Sequence, residues 1–391
     1  MANRNDGPEH LRCQTCATTV LDRWRCRCGE PLTFADPPIP EGNAPETADV
    51  DARRGLWAFD SFLPVGADPS DRVTLGEGMT PLVDAPGWDA RFKLEYVFPT
   101  GSFKDRGASA TLTRAVELGV DRVVEDSSGN AGAAIATYAA RAGLDAEIYV
   151  PADVAEGKLR AIRRAGATPV RIPGDRAAVT DACMAAIGGD EGVETGFDST
   201  KSDGNGERSA WYASHAWNPA FFEGTATFAY EVAFARDWVA PDAVVTPLGH
   251  GTLFLGAHWG FKRLHRAGWI DELPRLYGAQ AAGIAPIVRE RRGPKAADPN
   301  GRIADAADGI RIANPVRGEE IHEAIRETDG DAVAVTADEL NAELDRLHAA
   351  GFYTEPTCAV APAALRRLRE RGAIDPDDDV VVPLTGSGLK T

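Results

Sequence analysis

The sequence predicts an α/β protein of two open, parallel-sheet domains, preceded by a small cysteine-bearing segment. Three observations predict it. The chain has 391 residues and 43% hydrophobic content, too long for one small core and apolar enough to bury two. Short β-branched runs alternate with helical patterns of 10–15 residues, a rhythm that requires parallel strands joined by crossovers. Four of the six cysteines crowd into the amino-terminal segment, after which the composition changes.

Taken in chain order, the first thirty residues are polar and do not read as a signal peptide, so the cytoplasm is the expected compartment. Cys13-x-x-Cys16 and Cys26-x-Cys28 can supply four thiolates to a tetrahedral, structural zinc. A reducing compartment favours metal over disulfides; free thiols are the plainer reading. Residues 36–55, rich in proline, small residues and acids, read as a linker. Asp105 to Gly119 reads as a helix, Arg122–Glu125 as a strand and Gly129 to Gly143 as an alanine-rich helix. Strand Ala146–Val150, a helix to about Ala165 and strand Thr168–Ile172 follow. The alternation resumes at Ala243–Thr246 and ends at Val380–Val382, each before a glycine turn. The expected division is 1–35 as ribbon, 36–55 as linker, 56–103 with 216–391 as a large domain, and 104–215 as a small one.

The formal charge is −17, with 59 acidic against 42 basic residues, of which only seven are lysines. Such a chain repels nucleic acid and anionic lipid, and no stretch approaches the ~20 apolar residues of a membrane span. Neither nucleic acid nor membrane is expected as a partner. The arginines Arg12, Arg23, Arg25 and Arg27 beside the cysteines are the one feature that would favour nucleic acid, against an acidic body. Sparse lysine and acidic runs such as Asp377-Asp378-Asp379 match a surface adapted to a high-salt cytoplasm, or simply a well-solvated one.

Four segments carry chemistry. In Pro99-Thr100-Gly101-Ser102-Phe103-Lys104-Asp105-Arg106-Gly107 a lysine stands where a turn meets a helix start. A lysine desolvated beside an electron sink forms an imine and then carries protons; alone, it is an ordinary surface lysine. Asp126-Ser127-Ser128-Gly129-Asn130-Ala131-Gly132 follows a strand and opens a helix, so its N–H groups suit an anion such as a carboxylate. An ordinary helix cap is the plainer alternative. Gly249-His250-Gly251-Thr252-Leu253 repeats that arrangement, with glycines that free N–H groups to ring a phosphate. His250 either orients that anion or is merely tolerated in the loop. Leu384-Thr385-Gly386-Ser387-Gly388 caps the last strand, and Thr385 or Ser387 can donate to a ring nitrogen.

In this order, together with Leu75-Gly76-Glu77-Gly78-Met79-Thr80-Pro81-Leu82 and Glu355-Pro356-Thr357, these segments resemble the threonine synthase family of pyridoxal-phosphate (PLP) enzymes over residues 75–391. The resemblance implies the fold shared with tryptophan synthase β and the serine/threonine dehydratases, a homodimer and a small amino-acid substrate. It implies PLP held as a Schiff base on Lys104, with Asn130 at its O3′, Gly249 to Leu253 around its phosphate and Thr385 at its pyridine nitrogen. Ser127 to Ala131 then hold the substrate carboxylate. Many proteins of this kind also carry a small ribbon ahead of the "LGEGxTPL" segment.

The family's usual Asn-Pro-x-Arg-x-x-Gly-Gln-Lys-Thr becomes Asn218-Pro219-Ala220-Phe221-Phe222-Glu223-Gly224-Thr225-Ala226-Thr227. Phe221 and Ala226 replace an arginine and a lysine expected to bind the phosphate of O-phospho-homoserine. A phosphate monoester carries about −1.5 to −2 charges near neutrality, so two lost cations matter unless others, such as Lys201 or Arg208, replace them. Ala131 also stands where the family often has threonine. Trp211, Trp217, Phe221 and Phe222 make this region aromatic, as core packing or as an apolar substrate pocket. The expected activity is threonine synthase. The alternative is a serine/threonine ammonia-lyase or another β-eliminating PLP enzyme, and a catalytically silent PLP carrier is opposed by the intact Lys104. Cys183 and Cys358 are expected to be buried apolar residues.

Overall fold

The computed structural model describes residues 9–188 and 210–390. They form two compact units. The first comprises the described parts of Met1–Pro38, Phe59–Glu77 and Lys104–Gly224; the second comprises those of Ile39–Ala58, Gly78–Phe103 and Thr225–Thr391.

The first unit opens with strands β1 (Leu11–Cys13), β2 (Thr19–Val20) and β3 (Leu32–Phe34), an antiparallel sheet in the order β2-β1-β3. This ribbon is pinned to its unit by Asp22, which accepts the Trp211 indole N–H at 2.8 Å, and by Arg114, which donates to the Leu21 carbonyl at 2.8 Å. In the second unit β4 (Leu82–Ala85) and β5 (Ala90–Lys93) form an antiparallel pair.

The chain then builds the main sheet of the first unit from α1 (Lys104–Glu117), β6 (Arg122–Glu125), α2 (Asn130–Ala142), β7 (Asp145–Pro151), α3 (Glu156–Arg164), β8 (Thr168–Ile172), α4 (Arg176–Ala186) and β9 (Trp211–Tyr212). The strand order is β8-β7-β6-β9, and every pairing is parallel. Its elements form for the expected reasons. Alanine fills α2, and Gly143 ends it in the left-handed region at φ 73°, with its N–H bonded to the last turn. Leu112, Ala134, Ile135, Tyr138, Ile148 and Val150 are fully buried in the core beside the sheet.

Helix α5 (Pro219–Phe234) leads to β10 (Ala243–Pro247), α6 (Thr252–Arg266), β11 (Arg275–Ala281), α7 (Pro286–Arg292), α8 (Pro294–Ala297), α9 (Gly318–Glu327), β12 (Asp331–Val335), α10 (Ala337–Ala349), α11 (Val360–Glu370) and β13 (Val380–Pro383). The second sheet runs β12-β11-β10-β13-β5-β4, parallel except for its β4 edge. Strands β10 and β12 are buried on both faces, as a helix-covered parallel sheet requires: all five residues of each are buried. Each expected strand is present, with ends shifted by a residue or so. A 3₁₀ turn at Thr47–Asp49 and the start of a longer 3₁₀ segment, Ala52–Phe62, occupy part of the stretch expected as linker. Among the described residues no helix is long and apolar enough to cross a membrane.

Candidate active site

Parallel sheets present their ligand loops at the carboxyl ends of strands. In the first unit, Asp126–Gly129 leaves β6 and opens α2. The turn is tight because residue 132 is glycine: a Cβ there would lie 1.8 Å from the Ser127 carbonyl oxygen. Asp126 is held on both oxygens, by Thr180 Oγ1 at 2.6 Å and the Tyr212 hydroxyl at 2.9 Å. Gly129 gives α2 no side-chain cap, so the first-turn N–H groups at Ser127–Ala131 suit a carboxylate.

Lys104 is the first residue of α1. Its Nζ lies 5.9 Å from the centroid of the Phe221 ring, and that ring fills the space over Gly107, where a Cβ would come within 2.0 Å of it. Phe221 is wholly buried and belongs to the same apolar cluster as Trp211. Core packing therefore accounts for Phe221. Ala226 is equally buried, in the second unit; a Cβ on Gly260 would sit 2.4 Å from its carbonyl oxygen. Both positions where the resemblance implies cations are thus closed by packing. Lys201 and Arg208 lie outside the described residues.

Two residues the sequence reading passes over stand beside these. His215, just past β9, places Nδ1 2.7 Å from Glu125 Oε1, and its backbone N–H donates to Glu125 Oε2 at 3.2 Å. Glu125 ends β6 and is completely buried. Burial, then the neighbouring Asp126, pushes its carboxyl well above the usual range, against the backbone bond from His215 and the charges of Arg176 and Lys104. Ninety positions separate the pair in sequence, and only the parallel β6–β9 pairing brings them together.

The second unit carries the other two loops side by side, because β10 and β13 are parallel neighbours. Gly249–Leu253 leaves β10 and starts α6. Gly251 caps the helix in the left-handed region at φ 82°, and a Cβ on it would strike Ile321 Cδ1 at 2.7 Å. After β13, Thr385 is buried, with Oγ1 3.3 Å from Cys358 Sγ. Burial pushes the Cys358 thiol up to about 12, so it stays protonated. Cys183 and Cys358 are both buried. The chain leading to Lys104 is stitched to this loop: Ser102 bridges Gly386, and Phe103 donates its N–H to the Thr385 carbonyl at 3.1 Å.

The remaining motif residues are anchors. Glu77 accepts from the Leu75 N–H at 2.8 Å and the Tyr138 hydroxyl at 3.0 Å. Thr80 donates to Glu95 Oε1 at 2.6 Å, within a buried network in which Lys93 meets Glu231 at 2.7 Å.

The sequence profile of pyridoxal-phosphate dependent enzymes matches residues 73–386. The threonine synthase of Methanocaldococcus jannaschii is 35% identical over 86% of this chain and 80% of its own length. The chain belongs to the threonine synthase family of PLP-dependent enzymes. The threonine synthase of Mycobacterium leprae, at 33% identity over 86% of this chain and 88% of its own, agrees. Among solved structures, the processed threonine deaminase isoform 2 of Solanum lycopersicum superposes with a TM-score of 0.63 at 19% identity, over 92% of this chain and 88% of that one. An L-serine ammonia-lyase of Rhizomucor miehei gives 0.61 at 19%, over 79% and 93%. At such identities the two structures share the fold.

The residues present fit the cofactor of this family. The first unit holds a lysine amine at a helix start, and the second holds a glycine-bearing helix start and a buried hydroxyl, the donor types that a phosphate and a ring nitrogen require. The Ser102 and Thr246 hydroxyls are buried with no hydrogen-bond partner among the described residues, polar groups of the kind that a bound polar ligand can satisfy.

In the ribbon, Cys13 and Cys28 place their sulfurs 3.6 Å apart and Cys16 and Cys26 3.4 Å apart, and all four sulfurs lie within 4.8 Å of one another. Zinc–sulfur bonds of about 2.3 Å set tetrahedral sulfurs about 3.8 Å apart, so the cluster has the dimensions of a four-thiolate site.

Proposed function

We propose that this enzyme is a threonine synthase, converting O-phospho-L-homoserine to L-threonine and phosphate. The observation that carries the reading is Lys104 at the first turn of α1, in the same unit as a carboxylate-type loop on α2, in a chain whose curated relatives at 32–35% identity are threonine synthases.

PLP, when bound, supplies an electron sink conjugated to the substrate's Cα. Lys104 is the residue that would hold it as an imine, and its amine, once free, would take the Cα proton. Asn130 would donate to the cofactor's ring oxygen, Gly249, His250, Gly251, Thr252 and Leu253 would hold its phosphate, and Thr385 would donate to its ring nitrogen. Ser127, Ser128, Gly129, Asn130 and Ala131 clamp the substrate carboxylate, which fixes the Cα–H bond for attack.

The sealed packing of Phe221 and Ala226 favours a second reading, an ammonia-lyase acting on serine or threonine. The two are separated by incubating the purified protein with O-phospho-L-homoserine, L-threonine and L-serine. Threonine with one equivalent of phosphate supports the first; a 2-oxo acid with ammonia supports the second and overturns the first.

A structural zinc on Cys13, Cys16, Cys26 and Cys28 is supported by the spacing of their sulfurs, and thiolate ligation of a metal suits a reducing cytoplasm. The acidic balance supports a high-salt cytoplasm, and the family resemblance supports a homodimer.

A further inference from the structure

Cys358 is buried and has no part in the chemistry described so far. It lies in the 3₁₀ turn Pro356–Ala359 that leads into α11, and this turn is sewn to the loop after β13. Thr354 bridges Ser387, and the Glu355 N–H donates to the Gly386 carbonyl at 3.0 Å. The Gly386 N–H donates to Cys358 Sγ at 3.0 Å, and that sulfur lies 3.2 Å from the Gly386 carbonyl oxygen and 3.3 Å from Thr385 Oγ1. Gly386 has no room for a side chain, because a Cβ would lie 2.3 Å from Glu355 Cδ. The Phe103 N–H on the Thr385 carbonyl ties the same loop to the residue before Lys104.

The thiol and the Thr385 hydroxyl have one proton each to donate. When the hydroxyl donates to Sγ, the S–H is directed at the Gly386 carbonyl. When the S–H turns to Oγ1 instead, the hydroxyl proton is released for an acceptor beyond the loop. That turn strands no carbonyl, since the Gly386 oxygen keeps the Glu355 N–H at 3.0 Å, and the Gly386 N–H holds the sulfur in both arrangements. Burial, then the charge of Glu355, keeps the thiol protonated, so its proton is present to turn. Tyr96 is the other titratable group that feels the sulfur.

We infer that Cys358 is a positioning residue for the cofactor: its S–H donates to Thr385 Oγ1 and so directs the hydroxyl proton at the ring nitrogen of PLP. This role rests on the reading above that places Thr385 at that nitrogen.

The test uses the full-length protein reconstituted with PLP or with its deaza analogue, in which a C–H replaces the ring nitrogen, and reads both affinities by fluorescence titration. Wild type binds PLP about tenfold more tightly than the analogue, the effect of one buried neutral hydrogen bond. Thr385→Val brings the two affinities within about twofold of each other. Cys358→Ala lowers the preference for PLP to about threefold or less, and adds nothing to the loss in a Thr385→Val background. A cysteine that only shapes the loop weakens both ligands alike, so a preference above about threefold in Cys358→Ala overturns the inference. If Cys358→Ala does not fold, Cys358→Val, which fills the space without a donor, decides at the same threshold. Equal wild-type affinities for the two ligands remove Thr385 from the ring nitrogen and overturn the inference with it. A wild-type protein that binds neither ligand sinks the PLP reading, and the role of Cys358 with it.

Discussion

At the residue scale, the glycines of the motifs are explained by what stands against them. Gly107 follows Lys104 by three positions, and the Phe221 ring occupies the place of its side chain at 2.0 Å. Gly107→Ala is therefore expected to cost about 2–3 kcal/mol of stability, read by chemical denaturation. Phe221→Leu in the same chain recovers part of that loss, because the clash is with the ring. Lys93 is the other residue with a large expected effect. It is 1% exposed and its partner Glu231 is 0% exposed. Lys93→Met removes the buried cation facing the Glu231 carboxylate and is expected to cost about 3–5 kcal/mol, whereas a surface lysine such as Lys158 changed in the same way leaves the melting temperature where it was.

At the element scale, the decisive parts are strand-to-helix turns. Gly251→Ala forces a side chain into the left-handed region and against Ile321. It is expected to weaken PLP binding about tenfold, a strain of ~1.4 kcal/mol, measured by fluorescence titration. In the ribbon, the three short strands β1, β2 and β3 bury only a small cluster, Leu11, Leu32 and Phe34, beside the cysteines. Removal of metal by a strong chelator is expected to lower the melting temperature, and zinc to restore it; an unchanged transition contradicts a structural ion. Much of this scale was legible beforehand. The run Val380-Val381-Val382 before a glycine turn, and the lysine and glycine motifs in their order, located β13 and the four loops. What stayed hidden depends on strand order. Nothing in the local sequence pairs Glu125 with His215, or sets Phe221 over Gly107, because both contacts follow from the parallel packing of β6, β9 and the helices around them. The 3₁₀ turn at Ala52–Phe62 was also hidden, since proline and acidic composition upstream reads as extended chain.

At the scale of the whole molecule, the charge of −17 sets how the protein responds to salt. At low ionic strength like charges repel across the acidic surface, and screening relieves this within a Debye length of about 3 Å at 1 M. The melting temperature and activity are expected to rise from dilute buffer into molar salt; a flat or falling response refutes salt adaptation. The same molecule is expected to hold its cofactor at one lysine among seven. The most direct measurement is borohydride reduction of the PLP-reconstituted protein, followed by peptide mass mapping. The account predicts a single modified lysine, Lys104, with no label in Lys104→Ala. A label on another lysine, or none at all, would contradict it.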